Sequence, residues 1–184
     1  MITFIAQHRH AIVHAKRTIA TADLPIHLKQ PVIEADLVGA IILDELQRRG
    51  FEDDLQEWLP QLATLTNASL GPAQMKPSVV EDLVAAGLIV QPIHWEKKKS
   101  EIIQSWLLDP QKSAQLVAAR LEHIVRHWAK GGVDISDKPQ ILATLYSLGL
   151  VGQAGIHDNP QANERGEKIA YELRQQIKGI LTLA

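Results

Sequence analysis

Apolar residues recur at helical spacing over most of this chain, and this periodicity restricts the fold more than any other sequence feature. Alternating β-branched and aromatic runs, which are typical of strands, are nearly absent, and aromatic residues make up only 4% of the sequence. The pattern predicts helices near residues 4–21, 34–49, 52–65, 78–87, 99–108, 111–130, 137–149 and 161–182. We therefore expect an all-α fold.

Capping residues support the predicted helix boundaries. Ser78 and Glu81 have the spacing of a capping box, and Gly87 is a suitable residue to end that helix. Asp109 directly before Pro110 is typical of an N-cap followed by proline in the first helical turn.

Length and composition indicate one globular domain over residues 1–184. The chain has 184 residues, of which 46% are hydrophobic, and this is enough to bury a sizeable core. It has no cysteine, which excludes a disulfide framework, a thiolate metal site and a cysteine nucleophile. The 19 basic and 21 acidic residues give a net charge of −2, so we expect no nucleic-acid partner.

The sequence contains no apolar run long enough for a transmembrane segment. The longest such run is Leu37–Leu43, whereas a spanning helix needs about 20 residues. At the N-terminus an apolar stretch comes first and charge follows, the reverse of the order in a secretory signal. We expect either no cleavable signal or a mature chain whose leader has been removed.

The helix predicted at 34–49 carries two neighbouring acids in an otherwise apolar stretch. At about 3.6 residues per turn, Glu45 projects from the middle of the apolar face and Asp44 from its edge. Burial raises the pKa of a carboxyl group, and a raised pKa keeps a proton available for general acid catalysis near neutral pH. Glu45 is therefore either a catalytic acid or a buried acid that an arginine or a helix N-terminus neutralises.

Residues 69–78 form a short segment between two turn signals, Gly71-Pro72 and Pro77-Ser78. A loop framed in this way can hold Gln74 in a fixed direction, and its amide offers both a hydrogen-bond donor and an acceptor. The segment is either part of a binding site or an ordinary surface turn.

Four segments together resemble the lysozyme-like lytic transglycosylases, the superfamily of soluble lytic transglycosylases and goose-type lysozyme. Ile42–Glu45 is similar to the family's apolar helix that ends in a catalytic Glu, and Leu70–Ser78 is similar to its Gly-x-x-Gln-x-x-Pro loop. Asp109–Leu121 resembles the Asp-Pro start of a long core helix, and Ala143–Gly149 resembles an Ala-Tyr-Asn-x-Gly motif. The segments follow the family order within residues 35–150.

The resemblance implies a lysozyme-like domain with a substrate cleft and the activity of a peptidoglycan lytic transglycosylase or muramidase. Such enzymes cleave the β-1,4 bond between N-acetylmuramic acid and N-acetylglucosamine. Glu45 would protonate the glycosidic oxygen and then act as base while the muramoyl 6-hydroxyl closes a 1,6-anhydro ring. The implied partners are peptidoglycan glycan strands, and a secretion system or an inhibitor is a further candidate. The implied place of action is the cell wall, in the periplasm or after delivery there.

Beside Glu45, we expect a small set of residues to bind the substrate. Trp95 belongs to this set because it follows the turn at Gln91-Pro92, and Tyr146 because the family motif points a tyrosine toward the acid. The substrate-binding candidates are Gln74, Tyr146, Ala73, Ser69 and Trp95.

Three positions depart from the family pattern. Leu46 stands where the family has Ser, Ala73 where it has Met, and Ser147 where it has Asn. Leu46 and Ser147 favour an alternative, a non-catalytic helical module that keeps the fold and binds glycan or protein, while the central position of Glu45 opposes it. A third interpretation is an immunity or adaptor protein with an accidental motif match.

Other polar clusters carry less information. Glu52, Asp53 and Asp54 are either a solvated helix start or the source of the second carboxylate that a hydrolase would need. His10 and His14 have a spacing that can chelate a metal, but no carboxylate partner is identified for them. We therefore predict no metal and no cofactor.

Overall fold

The computed structural model describes residues 1–20, 24–26, 28, 31–48 and 67–182, and these residues are mostly helical. The helices are α1 (Ile2–Gln7), α2 (Arg9–His14), α3 (Ala35–Arg48), α4 (Pro77–Ala85), α5 (Trp95–Leu108), α6 (Pro110–Lys130), α7 (Pro139–Leu148), α8 (Glu164–Lys168) and α9 (Arg174–Thr182). A π-helical turn, Ile169–Leu173, joins α8 to α9, and two short strands, β1 (Arg17–Thr18) and β2 (Val32–Ile33), pair antiparallel. Within the described residues, no helix has the length and apolar character needed to cross a bilayer.

Most predicted helices are present. Helices α3, α4, α6 and α7 match the predicted ranges to within two residues, α5 begins at Trp95 rather than 99, and α8, the π turn and α9 fill most of 161–182. The helix predicted at 52–65, with Glu52, Asp53 and Asp54, lies outside the described residues.

The single helix predicted at 4–21 is wrong. It is divided at His8 into α1 and α2, and the chain leaves helical structure after His14 to form β1. Arg17 explains the change, because its two terminal nitrogens donate to the Leu88 carbonyl at 3.1 Å and its Nε lies 2.7 Å from Glu122 Oε2. These distant partners hold Arg17 in an extended segment despite the local helical pattern.

The two N-caps have different outcomes. Asp109 caps α6 as predicted, since its Oδ1 accepts from the Lys112 amide at 2.7 Å. The predicted capping box is absent, because α4 begins one residue earlier, at Pro77, with Lys76 at the N-cap position. The Ser78 amide donates instead to Oδ1 of Asn67 at 3.0 Å, which ties the start of α4 to the segment before the Gln74 loop.

Two clusters of buried side chains form the core, and α6 contributes to both of them. Val117 and Leu121 of α6 belong to the larger cluster, which also contains α3, whereas Leu116 and Ala119 face the smaller cluster with α4 and α5. Tyr146 of α7 packs against both clusters. The region beside Tyr146 therefore lies where the two halves of the core meet.

Candidate active site

Helix α3 carries two acids at the edge of the larger cluster. Leu37 through Leu43 are all buried, so little of the helix faces solvent before the acids. Asp44 is 3% exposed, and the Glu45 side chain is 13% exposed. Placed in this apolar helix, both carboxylates are largely withdrawn from water and require nearby compensation if they are to ionise.

Arg165 supplies that compensation to both acids. Its Nε donates to Asp44 Oδ2 at 2.7 Å, and its Nη2 donates to Glu45 Oε1 at 2.7 Å. One planar guanidinium thus bridges two consecutive carboxylates, a geometry that a lysine could not reproduce.

The start of α8 fixes the position of Arg165. The Asn163 side chain accepts from the Gly166 amide at 2.8 Å, and the Asn163 amide donates to the Thr144 hydroxyl at 3.1 Å. A Cβ at Gly166 would clash with the Thr144 hydroxyl and the Gln140 carbonyl. Glycine at this position therefore allows α8 to lie close against α7 and bring Arg165 to the two acids.

Burial raises the pKa of Glu45 above its ordinary value, and the charge of Asp44 acts in the same direction. Arg165 opposes this effect through its charge and its hydrogen bond, and Arg48 opposes it more weakly. The net direction is upward because desolvation is the largest influence. Glu45 therefore holds a proton to higher pH than a solvated glutamate does.

A tight turn presents Gln74 to the same region. Leu70 and Met75 form an antiparallel bridge, and the Gln74 backbone is left-handed with φ of 44°. Its side-chain Nε2 donates to the Gly71 carbonyl at 3.1 Å, and its side-chain oxygen has no donor among the described residues. Gly71 has φ of 73°, and a Cβ there would clash with the Leu107 carbonyl of α5. The turn therefore packs closely against α5, and the Gly71 carbonyl within the turn fixes the Gln74 side chain.

Tyr146 approaches the acid from α7. Its hydroxyl donates to the Ala73 carbonyl at 2.9 Å, so the phenol has no second proton to donate to another group. Burial raises the pKa of Tyr146, and the nearby charge of Glu45 raises it further. Tyr146 therefore remains a neutral phenol, and its oxygen can only accept a hydrogen bond from a group in the pocket.

These side chains line one pocket of about 370 Å³. It brings together four of the predicted site residues, and two arginines join them. The lining residues are Glu45, Ser69, Gln74, Met75, Lys76, Val79, Arg120, Tyr146, Ser147, Leu148, Gly149 and Arg165.

Two predicted substrate-binding side chains do not line this pocket. Ala73 is 1% exposed and takes part through its carbonyl, which holds Tyr146. Trp95 is 6% exposed and belongs to the smaller core cluster, where its ring lies 5.9 Å from that of Trp106. Burying an indole against a second indole gives more contact than a place on the pocket rim, which explains why Trp95 packs inward.

Sequence reasoning missed both arginines of the pocket. Arg165 lies beyond residue 150, outside the four segments that carry the family resemblance. Arg120 lies on α6 between the buried residues Ala119 and Leu121. A charged residue set among apolar residues of a helix is the same signal that identified Glu45, and it applies equally to Arg120.

The pocket suits acid–base chemistry by a single carboxyl group. Glu45 is the one acid among its described lining residues, since Asp44 lies behind it on Arg165. The described part of the chain also contains no group of three or more potential metal ligands. Comparison with protein families, curated proteins and solved structures finds no significant match to this chain.

Proposed function

We propose that this protein cleaves peptidoglycan as a lytic transglycosylase or a related muramidase, with Glu45 as its general acid and base. The observation that supports this most is the shared pocket of Glu45, Gln74 and Tyr146. These three residues come from separate segments of the chain, and each occupies the motif position that the family resemblance marks as functional.

The reaction uses one carboxyl group twice. Protonated Glu45 gives its proton to the glycosidic oxygen as the bond between that oxygen and C1 breaks. Arg165, 2.7 Å from Oε1, stabilises the carboxylate that remains. The Glu45 carboxylate then takes the proton of the muramoyl 6-hydroxyl while the oxygen of that hydroxyl bonds to C1. This step restores the acid and closes the anhydro ring without water.

Gln74 and Tyr146 position rather than transfer protons. The side-chain oxygen of Gln74, which has no donor among the described residues, accepts from a sugar hydroxyl or an acetamido N–H, because its Nε2 is held by Gly71. The Tyr146 oxygen accepts from the protonated Glu45 carboxyl or from a substrate hydroxyl, because its own proton is on Ala73. Both roles depend on backbone contacts that fix these side chains before substrate enters.

One observation favours the non-catalytic alternative, a glycan- or protein-binding module. The 2.7 Å contact between Arg165 and Glu45 stabilises the ionised carboxylate, which cannot donate a proton. In a binding module this ion pair would be purely structural, and the pocket would hold a ligand without cleaving it.

Digestion of purified sacculi, with the released products analysed by mass spectrometry, separates these functions. Anhydro-muropeptides support transglycosylation, and products with reducing ends support a muramidase. Glu45→Gln should release neither, whereas Glu101→Gln, which changes an exposed acid paired with Lys98, should behave as the wild type. Binding to sacculi with no released product would favour the binding module instead.

A further inference from the structure

Arg120 is a buried cation that opens onto the pocket. It lies on the central helix α6 and is 7% exposed, between Ala119 and Leu121, which are each 0% exposed. Its side chain nevertheless lines the same pocket as Glu45. Arginine is almost never buried to this extent without a partner, because withdrawing its charge from water is costly.

Arg120 has no hydrogen bond and no ion pair with any residue in the described part of the chain. Two other arginines of the fold show the contrast, since Arg17 pairs with Glu122 and Arg165 with Asp44. Burial lowers the pKa of Arg120, and the nearby groups that offset this, Tyr146 and Asp82, do so only in part. Asp82 is exposed to solvent, and Tyr146 is a neutral phenol whose hydroxyl donates to the Ala73 carbonyl, so neither residue forms an ion pair with Arg120.

The charges that face Arg120 do not neutralise it. His123, one turn along α6, has its own pKa lowered by burial and by the charge of Arg120, which keeps this imidazole neutral. At the pocket rim Lys76 adds a further exposed positive charge, and Arg165 is already engaged by Asp44 and Glu45. Among the described residues that line the pocket, Lys76, Arg120 and Arg165 are cationic and Glu45 is the one acid, so positive charge exceeds negative charge there.

We propose that Arg120 forms an anion subsite in this pocket and takes a carboxylate group of the ligand. A guanidinium presents parallel N–H donors that match the two oxygens of a carboxylate, and the low exposure of Arg120 strengthens such a bond. The ligand is then an acidic sugar derivative rather than a neutral glycan.

The identity of the sugar rests on the proposed function. In peptidoglycan a carboxylate comes from two sources, the lactyl group of N-acetylmuramic acid without a peptide, and the carboxylates of an attached peptide. Both present the same chemistry to Arg120. N-acetylmuramic acid probes the first source, muramyl dipeptide the second, and N-acetylglucosamine is the neutral reference.

Binding of these three compounds by NMR titration tests the subsite without any bond cleavage, since none of them carries the scissile linkage. The wild-type protein should bind at least one acidic compound about tenfold more tightly than N-acetylglucosamine. Arg120→Gln should remove this difference, and Arg120→Lys should restore part of it. Lys98→Gln, which removes an exposed cation outside the pocket, should keep it.

Preference of the wild type for N-acetylmuramic acid alone assigns the subsite to the lactyl group, and preference for muramyl dipeptide alone assigns it to the peptide. Equal binding of acidic and neutral compounds by the wild type would overturn the proposal, as would a preference that survives Arg120→Gln. The binding titrations and the digestion of sacculi are independent measurements. If the subsite proposal fails, wild-type digestion of sacculi can still support the proposed function, so the two failures are distinguishable.

Thermal unfolding without ligand gives a second readout. Arg120→Met removes a buried charge that has no ion pair within the described residues and keeps a similar side-chain volume, so its melting temperature should equal or exceed that of the wild type. Arg17→Met, which removes one of the two arginines paired with the buried Glu122, should melt at a lower temperature. A large loss of stability in Arg120→Met would show that Arg120 has a structural partner and would contradict the subsite.

Discussion

Glu45 is held between two opposing influences. Burial in α3 raises its pKa, whereas Arg165 favours the ionised form. A general acid and base needs both its protonated and its ionised state, and in this site burial favours the first while the cation favours the second. The same arginine that weakens Glu45 as an acid stabilises the carboxylate that remains after proton transfer.

Removing Arg165 should move the Glu45 titration to higher pH. Arg165→Gln eliminates the largest influence that lowers the pKa of Glu45, so the carboxyl should stay protonated to higher pH than in the wild type. NMR titration of the Glu45 carboxyl measures this directly. Arg48→Gln is the matched control, because Arg48 has the weakest of the named effects. An unchanged or lowered Glu45 pKa in Arg165→Gln would contradict the conclusion that Arg165 lowers the pKa of Glu45.

Glu45 should also make the fold less stable as pH rises. The folded chain holds this proton more tightly than the unfolded chain, whose pKa is near 4.5. Between the two pKa values the free energy of unfolding therefore falls with increasing pH, and the loss is complete above the folded pKa. Glu45→Gln should flatten this decline in urea unfolding measured from about pH 4 to 8, while Glu101→Gln should leave it unchanged. Parallel pH curves for the wild type and Glu45→Gln would contradict the raised pKa.

At this scale the sequence predicts an acid on an apolar helix but not its partner. Helical spacing is a local property, and it placed Glu45 against apolar surroundings with Asp44 beside it. The more buried of the two is Asp44, because α3 is enclosed on nearly all sides and has no single solvent face. Arg165 lies about 120 residues away along the chain, so only tertiary packing brings it to the acids.

Secondary-structure elements position the site mainly through two close approaches. The turn that carries Gln74 touches the end of α5 at Gly71, and α8 touches α7 at Gly166. In each case a side chain would meet backbone atoms of the neighbouring element. Alanine substitution at other glycines with similar backbone conformation but open surroundings measures the backbone effect alone. The difference in stability then gives the contribution of each close contact.

Gly71→Ala should destabilise the fold by about 2 kcal/mol or more, because a positive φ and a clash with the Leu107 carbonyl act together. Gly87→Ala is the control, since Gly87 has φ of 70° with open space around it. Its cost should be about 1 kcal/mol, from the backbone alone. Urea unfolding gives both values, and equal costs would mean that the turn is not pressed against α5.

Gly166→Ala should also destabilise, and it should displace Arg165 from Glu45 as α8 moves away from α7. Gly179→Ala, on an exposed helical face with nothing near it, should instead stabilise by up to about 1 kcal/mol. Chemical denaturation compares the two variants. A Gly166→Ala protein as stable as the wild type would show that the α7–α8 contact is not tight.

Element boundaries were predictable where the signal is local. Asp109 followed by Pro110 starts α6 as expected, because cap and helix are neighbours in sequence. Ser78 is not the cap, because α4 begins at Pro77 and both the amide and the hydroxyl of Ser78 bind the side chain of Asn67, outside the helix. Arg17 leaves helical structure because Glu122 and Leu88 hold it, and neither contact is visible in the local pattern.

At the scale of the whole molecule, α6 is shared by two core clusters, and the pocket lies where they meet. Glu45 comes from the larger cluster's α3, and Tyr146 packs on both clusters. The Gln74 turn also contributes to both, with Ala73 in the larger cluster and Met75 in the smaller one. Small relative movements of the two halves would therefore change the geometry around Glu45. The mostly helical class follows from sequence periodicity, whereas this arrangement of halves depends on long-range packing that periodicity does not encode.

A comparison of the two acids that share Arg165 tests the catalytic role of Glu45 most directly. Asp44→Asn and Glu45→Gln each neutralise one carboxylate of the same ion-pair cluster, but only Glu45 lines the pocket. The measurement is the rate of muropeptide release from sacculi by each folded variant. Glu45→Gln should reduce this rate by about 10²- to 10⁴-fold, as expected for loss of a general acid, while Asp44→Asn should stay within about tenfold of the wild type. Equal losses in the two variants, or wild-type release by Glu45→Gln, would contradict a catalytic role for Glu45.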